Sequence, residues 1–257
     1  MLFSGLQDQK NQPPYDYAQS WLLPFAQENL GGLNVCVSNA EWHNANADQM
    51  FGYAQEHWGG FGVTLTSLHQ SHNPVGLLNR ADSIVVTGGS VHTLLRYLQT
   101  TDLLEAIRER VNEGVLYVGT SAGTILTGPT IRTTMENPVL PLENRRGLGV
   151  LPFGILCHYY EYSPEQWGDR HHSGVPPVGR ARNMIAFGRK YDPEGAEPII
   201  AIKDGSALRV VGRDIRLMGN RSATIFGLDK SERKVRGDDG REDLSMLLDE
   251  RSELYRI

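Results

Sequence analysis

The chain has 257 residues, 40% of them hydrophobic and 21% charged, which is enough apolar material for a sizeable core and excludes a disordered chain. Its 25 Lys and Arg stand against 30 Asp and Glu, a formal charge of -5, without the basic excess that phosphate backbones select, so no nucleic acid partner is expected. Two cysteines, Cys36 and Cys157, are too few for a disulfide framework or a thiolate zinc site and fit a reducing, cytoplasmic setting.

Met1 to Leu6 and the polar stretch Gln7 to Pro14 lack the basic start and apolar centre of a signal peptide, so no leader is expected. The longest apolar runs are strand-sized, far below the roughly 20 residues that span a bilayer, and no membrane partner is expected. Val35 to Val37 reads as a strand, Ala47 to His57 as a helix, Val63 to Leu68 as a strand, and Ile84 to Val86 as a short buried strand ending at Thr87-Gly88-Gly89. Leu94, Leu95 and Leu98 precede a helical stretch in which Leu103, Leu104, Ile107 and Val111 repeat until Gly114 stops it, and Val115 to Val118 is the next strand. This alternation predicts an α/β fold, a mostly parallel sheet with helices on both faces.

Past Ile199 the pattern changes. Ile199 to Ile202, Ala207 to Val211, Ile215 to Met218 and Ala223 to Phe226 are short strands separated by Asp204-Gly205, Gly212-Arg213-Asp214 and Gly219-Asn220, which are hairpin signals. They predict antiparallel C-terminal strands that extend the same sheet. Asp229 to Glu242 is charged and reads as a solvated loop, and Leu244, Leu247, Leu248, Leu254 and Tyr255 predict a C-terminal helix docked on the core or on a second subunit, as in a homodimer. The expectation is one domain over 1–257, with the loop and helix at 229–257.

The sharpest chemical signal is Gly119-Thr120-Ser121-Ala122-Gly123, a G-x-S-x-G directly after a predicted strand and before a short helix, the context of a nucleophile elbow. Such a turn lifts Ser121 Oγ clear of the sheet and places the Ala122 N–H beside a developing oxyanion. A second donor is expected from the loop after the neighbouring strand, where Gly89 can approach a substrate closely for want of a Cβ. A serine at its ordinary pKa needs a base. Of eight histidines, His158 ends the apolar run Val150 to Leu156, at the edge where catalytic groups gather. His43, His57, His69, His72 and His92 carry no flanking signal, and His171 and His172 lie in a polar stretch. No spacing matches a metal-ligand pattern, so no metal is expected.

At these residues the chain resembles the peptidase E (aspartyl dipeptidase) and cyanophycinase family of serine peptidases, related in fold to class I glutamine amidotransferases. The resemblance runs from about Ile84 to Val210, through Val86-Thr87-Gly88-Gly89, Tyr117 to Gly123, the string Pro129-Thr130-Ile131-Arg132-Thr133-Thr134, and Leu151-Pro152-Phe153 leading to His158. It implies that Ser121 is the nucleophile, His158 the general base, and Gly89 and Ala122 the oxyanion donors, with no cofactor. It offers two third members: Glu136, where the family has aspartate, and Asp204, where it has glutamate. Asp204 is favoured for its place at the end of a strand.

Arg180 is the nearest counterpart of the arginine that holds the substrate's aspartate side chain. The implied activity is a serine exopeptidase acting on small peptides, including those with an N-terminal Asp. The alternatives are a cyanophycinase-like or other amide hydrolase and a non-catalytic homologue, the latter motivated by the altered carboxylates and by Gly88-Gly89-Ser90-Val91. The stretch from Tyr159 to Pro177 is longer than in the family, and Met1 to Leu33 shows no apolar strand of the kind with which peptidase E begins.

Overall fold

Strands whose side chains alternate between two buried faces need cover on both, and the chain supplies it. The computed structural model describes residues 1–5, 15–38, 46–136, 140–160, 177–191, 196–237 and 240–255. A seven-stranded sheet has the order β3-β2-β4-β5-β1-β8-β9, formed by β1 (Leu2–Phe3), β2 (Asn34–Val37), β3 (Leu65–Ser67), β4 (Ser83–Val86), β5 (Leu116–Thr120), β8 (Ser206–Val211) and β9 (Asp214–Gly219). The strands from β3 to β1 are parallel, and β8 and β9 add antiparallel to them.

Period-two alternation sorts the core. Cys36, Val85, Val118 and Phe3 point to the face covered by α1 (Gln19–Asn29) and α2 (Ala47–Gly59), whereas Val35, Val37, Ile84, Val86 and Leu2 point to the face covered by α3 (Pro74–Leu78), α4 (Val91–Thr100), α5 (Leu103–Asn112) and α6 (Ala122–Ile125). The helices begin where side chains satisfy their free N–H groups. Asn46 and Gln49 form a capping box on α2, Asn73 caps α3 ahead of Pro74, and Ser90 caps α4. Among the described residues no helix is long and apolar enough to cross a membrane.

The C-terminal strands do not all extend this sheet, contrary to expectation. β7 (Ile199–Ile202), β10 (Ala223–Phe226) and β11 (Glu232–Val235) join β6 (Gly154–Leu156) in a second sheet of order β11-β10-β7-β6. Only the Val211 to Asp214 turn closes a hairpin within the first sheet, with Gly212 at φ 55. At Asp204-Gly205 and Gly219-Asn220 the chain instead crosses between sheets, because Ile200, Ile202 and Ile225 bury against the main core while Ile199, Ala201 and Phe226 bury with Tyr159 and with Ala181 and Ile185 of α7 (Pro177–Tyr191). A turn signal marks a reversal without saying which strand receives the chain.

Two further expectations are corrected, and a strand forms at the N-terminus, where the sequence shows no apolar run of strand length. The charged segment from Asp229 contains β11, an edge strand whose Glu232, Arg233 and Lys234 face solvent while Val235 is buried; charge protects the edge and hides it from periodicity. The predicted C-terminal helix is two 3-10 turns, Ser245–Leu248 and Glu253–Tyr255, whose Leu244 and Leu247 are fully buried in the chain's own core. The N-terminus does supply a strand: β1 is two residues long, too short to show a period, yet it pairs with both β5 and β8.

The glycines of the G-x-S-x-G segment serve close approach. A Cβ on Gly119 would lie 2.7 Å from the Gly123 carbonyl oxygen, and one on Gly123 would lie 2.4 Å from that of Val86. Helix α6 therefore rests directly on the backbone of β4. Gly123→Ala is expected to destabilise the fold by at least about 1–3 kcal/mol through overpacking against rigid backbone, measured by urea denaturation.

Candidate active site

Parallel neighbours bring their carboxyl ends to one edge, and the loops after β4 and β5 meet there. Val86 pairs with Gly119, so Gly88 and Ser121 follow side by side, and a Cβ on Gly88 would lie 3.4 Å from Ser121 Cβ. Ser121 stands between β5 and α6 at φ 50, ψ -106, a strained conformation for a non-glycine residue, with no capping bond from its side chain. Its N–H donates to the Phe3 carbonyl (3.0 Å), and the N–H groups of Thr124 and Ile125 close the turn on its own carbonyl (2.9 Å each). Gly89 has φ 122, a value that excludes a side chain, and Ala122 opens α6, where helical N–H groups lack a carbonyl four residues back.

The second sheet delivers the partners. β6 and β7 are parallel with Leu156 paired to Ala201, so the residues just beyond their ends, His158 and Asp204, emerge together. Ser121 Oγ lies 2.7 Å from His158 Nε2, and His158 Nδ1 lies 2.8 Å from Asp204 Oδ1. An ionised carboxylate only accepts, so Nδ1 carries the proton and Nε2 presents its lone pair to the serine hydroxyl. Burial pushes the Asp204 pKa up, but hydrogen bonding and charge from His158, with hydrogen bonds from Tyr160 and Ser4, outweigh it and leave the carboxyl below its ordinary value.

Of the two carboxylates offered by the sequence, Asp204 meets His158 and Glu136 does not. Glu136 lies at the start of α4, accepting from Ser90 Oγ (2.9 Å), the Val91 N–H (3.1 and 3.2 Å) and His92 Nδ1 (3.3 Å). A carboxylate suits the positive end of a helix, and here it ties down the segment that follows Gly88-Gly89. His92, which carries no sequence signal, is buried in that tie. Arg180 is half-buried, its guanidinium donating to the carbonyls of Thr134 (2.5 Å) and Met135 (3.5 Å), and burial lowers its pKa. Residues 161–176, most of the long segment noted above, and with them His171 and His172, lie outside the described residues.

A second chain of hydroxyl, imidazole and carboxylate occurs at the ends of β2 and β3. Ser38 and Ser67 meet His69 Nδ1 at 2.9 and 2.8 Å, and Asp48 meets Nε2 at 2.7 Å. Its exposure runs the wrong way for nucleophilic chemistry: the serines are 5% and 6% exposed, whereas the Asp48 side chain is 68% exposed. At Ser121 the serine is half-buried, and the His158 and Asp204 side chains are 37% and 15% exposed. His69 is a staple between α2 and the strand ends. Sequence reading also passes over Ser4 and Tyr160, which donate to Asp204 Oδ1 (3.0 Å) and Oδ2 (2.5 Å). Tyr160 could be found by its closeness to His158, but Ser4 carries no local signal.

Residues 17–218 match the family model of Peptidase family S51. A relative named Peptidase E from Shewanella denitrificans is 32% identical over 216 residues, spanning 84% of this chain and 86% of its own length. Another of that name, from Streptomyces coelicolor, is 33% identical over 192 residues, 75% of this chain and 73% of its own. The crystal structure of a peptidase from an acI-B1 Actinobacterium shares the fold, with a TM-score of 0.62 at 16% identity over 93% of this chain and 95% of that one. The matched span takes in Ser121, His158 and Asp204, most of the first sheet and β6 and β7 of the second, and the chain belongs to peptidase family S51, the serine peptidases of the peptidase E type.

Proposed function

We propose that the chain is a serine exopeptidase whose triad is Ser121, His158 and Asp204, acting on small peptides with a free N-terminal aspartate. The observation that carries this reading is the continuous relay from Ser121 Oγ through His158 to Asp204, at 2.7 and 2.8 Å. As Ser121 Oγ forms its bond to the scissile carbonyl carbon, its proton passes to His158 Nε2, and Asp204 stabilises the imidazolium that results. The carbonyl oxygen becomes an oxyanion, held by the N–H groups of Gly89 and Ala122, each such donor being worth roughly 3 kcal/mol in acyl transfer. His158 then gives its proton to the leaving amine as the C–N bond breaks, and a water activated by the same imidazole releases the acyl group.

Support for a preference for aspartate is the family membership together with Arg180, a half-buried cation on the Thr134-Met135 backbone near Glu136. Two of its donors are engaged by carbonyls, which holds the guanidinium plane while leaving its charge available to a substrate carboxylate.

Hydrolysis of a panel of Asp-X, Glu-X, Gly-X, β-Asp-Arg and N-blocked peptides tests the reading. Activity is expected on unblocked Asp-X, lowered roughly 10⁴- to 10⁶-fold in Ser121→Ala and roughly 10⁴-fold in Asp204→Asn, whose amide favours the wrong imidazole tautomer. Serine-dependent activity confined to β-Asp-Arg would replace the substrate with a cyanophycin-like one, and absence of serine-dependent activity or of fluorophosphonate labelling at Ser121 would sink the mechanism.

The acid dependence of stability follows from Asp204. Its folded pKa lies below its ordinary 3.8, so ionised Asp204 contributes stability above that pH and loses it as pH falls through the folded value. The difference in Tm between wild type and Asp204→Asn is expected to be widest near neutrality and to close below about pH 3.8.

A further inference from the structure

The catalytic carboxylate is held by more than its histidine. Asp204 Oδ1 accepts from both His158 Nδ1 (2.8 Å) and Ser4 Oγ (3.0 Å), and Oδ2 accepts from the Tyr160 hydroxyl (2.5 Å). Ser4 Oγ in turn accepts the main-chain N–H of His158 at 2.9 Å. A hydroxyl has one proton, and the Ile202 carbonyl at 3.1 Å competes for it, but a charged acceptor makes the stronger bond. One fully buried side chain therefore touches the backbone of the base and the carboxylate of its partner.

Two local facts show why this matters. His158 has φ 55, a left-handed conformation that a non-glycine residue keeps only where its surroundings enforce it, and the Ser4 hydroxyl satisfies its N–H there. The next residue, Gly5, leaves room for the pair: a Cβ would lie 2.4 Å from Asp204 Oδ1 and 3.3 Å from His158 Cε1. β1 also holds the nucleophile, since the Phe3 carbonyl accepts the Ser121 N–H at 3.0 Å and the Thr124 hydroxyl at 2.7 Å. Three consecutive residues, Phe3, Ser4 and Gly5, thus meet Ser121, His158 and Asp204.

We propose that Ser4 and Tyr160 are positioning residues that clamp the two carboxylate oxygens of Asp204, with Ser4 also fixing the main chain of His158, so that docking of β1 sets the geometry of the relay. The proposal rests on the triad reading above. Ser4 is fully buried, and both residues act through Asp204, which must stay aligned with Nδ1 while the imidazole gains and loses its proton. Rotation of the carboxylate toward water would weaken that bond and the base with it.

The test uses the full chain and reads kcat and KM on the best peptide of the panel, the rate of fluorophosphonate labelling at Ser121, and the downfield proton resonance of His158 Nδ1–H. Ser4→Ala and Tyr160→Phe are expected to lower kcat and the labelling rate roughly 10- to 100-fold with KM nearly unchanged, the effect of misalignment, and to shift or broaden the resonance. Because the residues act through Asp204, Tyr160→Phe is expected to add no further loss in an Asp204→Asn background.

Wild-type kcat and an unmoved resonance in folded Ser4→Ala and Tyr160→Phe would overturn the proposal, as would a Tyr160→Phe effect that persists undiminished beside Asp204→Asn. Should Ser4→Ala fail to fold, Tyr160→Phe and its double variant decide the matter, since Tyr160 is only partly buried. Full activity in Asp204→Asn itself would instead overturn the triad reading, which keeps the two failures apart.

Discussion

Between β5 and β8 lies a slot one strand wide, and Leu2–Phe3 fills it by parallel pairing on one side and antiparallel pairing on the other. Without that strand the parallel and antiparallel parts of the first sheet would face each other with unpaired N–H and C=O groups, each costing about 1–3 kcal/mol if buried. Leu2 seals one core and Phe3 the other, Phe3 lying 4.9 Å from Tyr15 and 5.8 Å from Trp21 between ring centroids. The same few residues then reach Ser121, His158 and Asp204, so the packing of β1 and its contacts to these side chains and main chains form together. Tyr17 adds a bond from its hydroxyl to the Gly5 carbonyl, and Tyr15 one to the Thr120 hydroxyl, so the segment leading into α1 secures the strand again.

The site sits at a junction between two sheets because neither sheet alone could build it. Ser121 comes from the end of a strand in the first, His158 and Asp204 from beyond the ends of two parallel strands in the second. Ser121 and His158 both adopt positive φ, at 50 and 55. Strain of that kind costs of order 1–3 kcal/mol per residue and survives only when the surroundings over-determine it. Here the surroundings are α6 resting on β4 without a Cβ between them, and a buried serine bonded to the backbone of the histidine.

Among the described residues hydrogen-bond chains of serine, histidine and aspartate occur at Ser121 and at His69, and burial separates the two. A nucleophile must meet its substrate while its supporting carboxylate is sheltered from water, which would otherwise compete for the imidazole proton. The relay at Ser121 pairs a half-buried serine with a carboxylate 15% exposed, whereas the one at His69 pairs buried serines with a carboxylate 68% exposed. Glu136 teaches the same lesson: it carries the right charge close to the right loop, but its acceptors are spent on the start of α4, so it supports the segment after Gly89 rather than His158.

Local sequence determined the parallel strands, the helices after β2 and before β5, the glycine-flanked turn at Ser121 and the place of His158 at a strand end, because these rest on short-range patterns: alternation, helical spacing, and glycines where backbones must touch. The shared family motifs also narrowed the third member to two carboxylates. Tertiary structure alone shows which of them meets His158, since the parallel register of β6 and β7 brings Asp204 to it across 46 residues of chain. It alone revealed that Ser4 meets His158 from 154 residues away, and that a two-residue N-terminal segment is a strand near the middle of a sheet. It also sent β7, β10 and β11 to a second sheet and made the C-terminus turns instead of a helix. The physical reason is common to all of these: pairing partners and burial are chosen by which surfaces the folded chain leaves open, and no window of neighbouring residues contains that information.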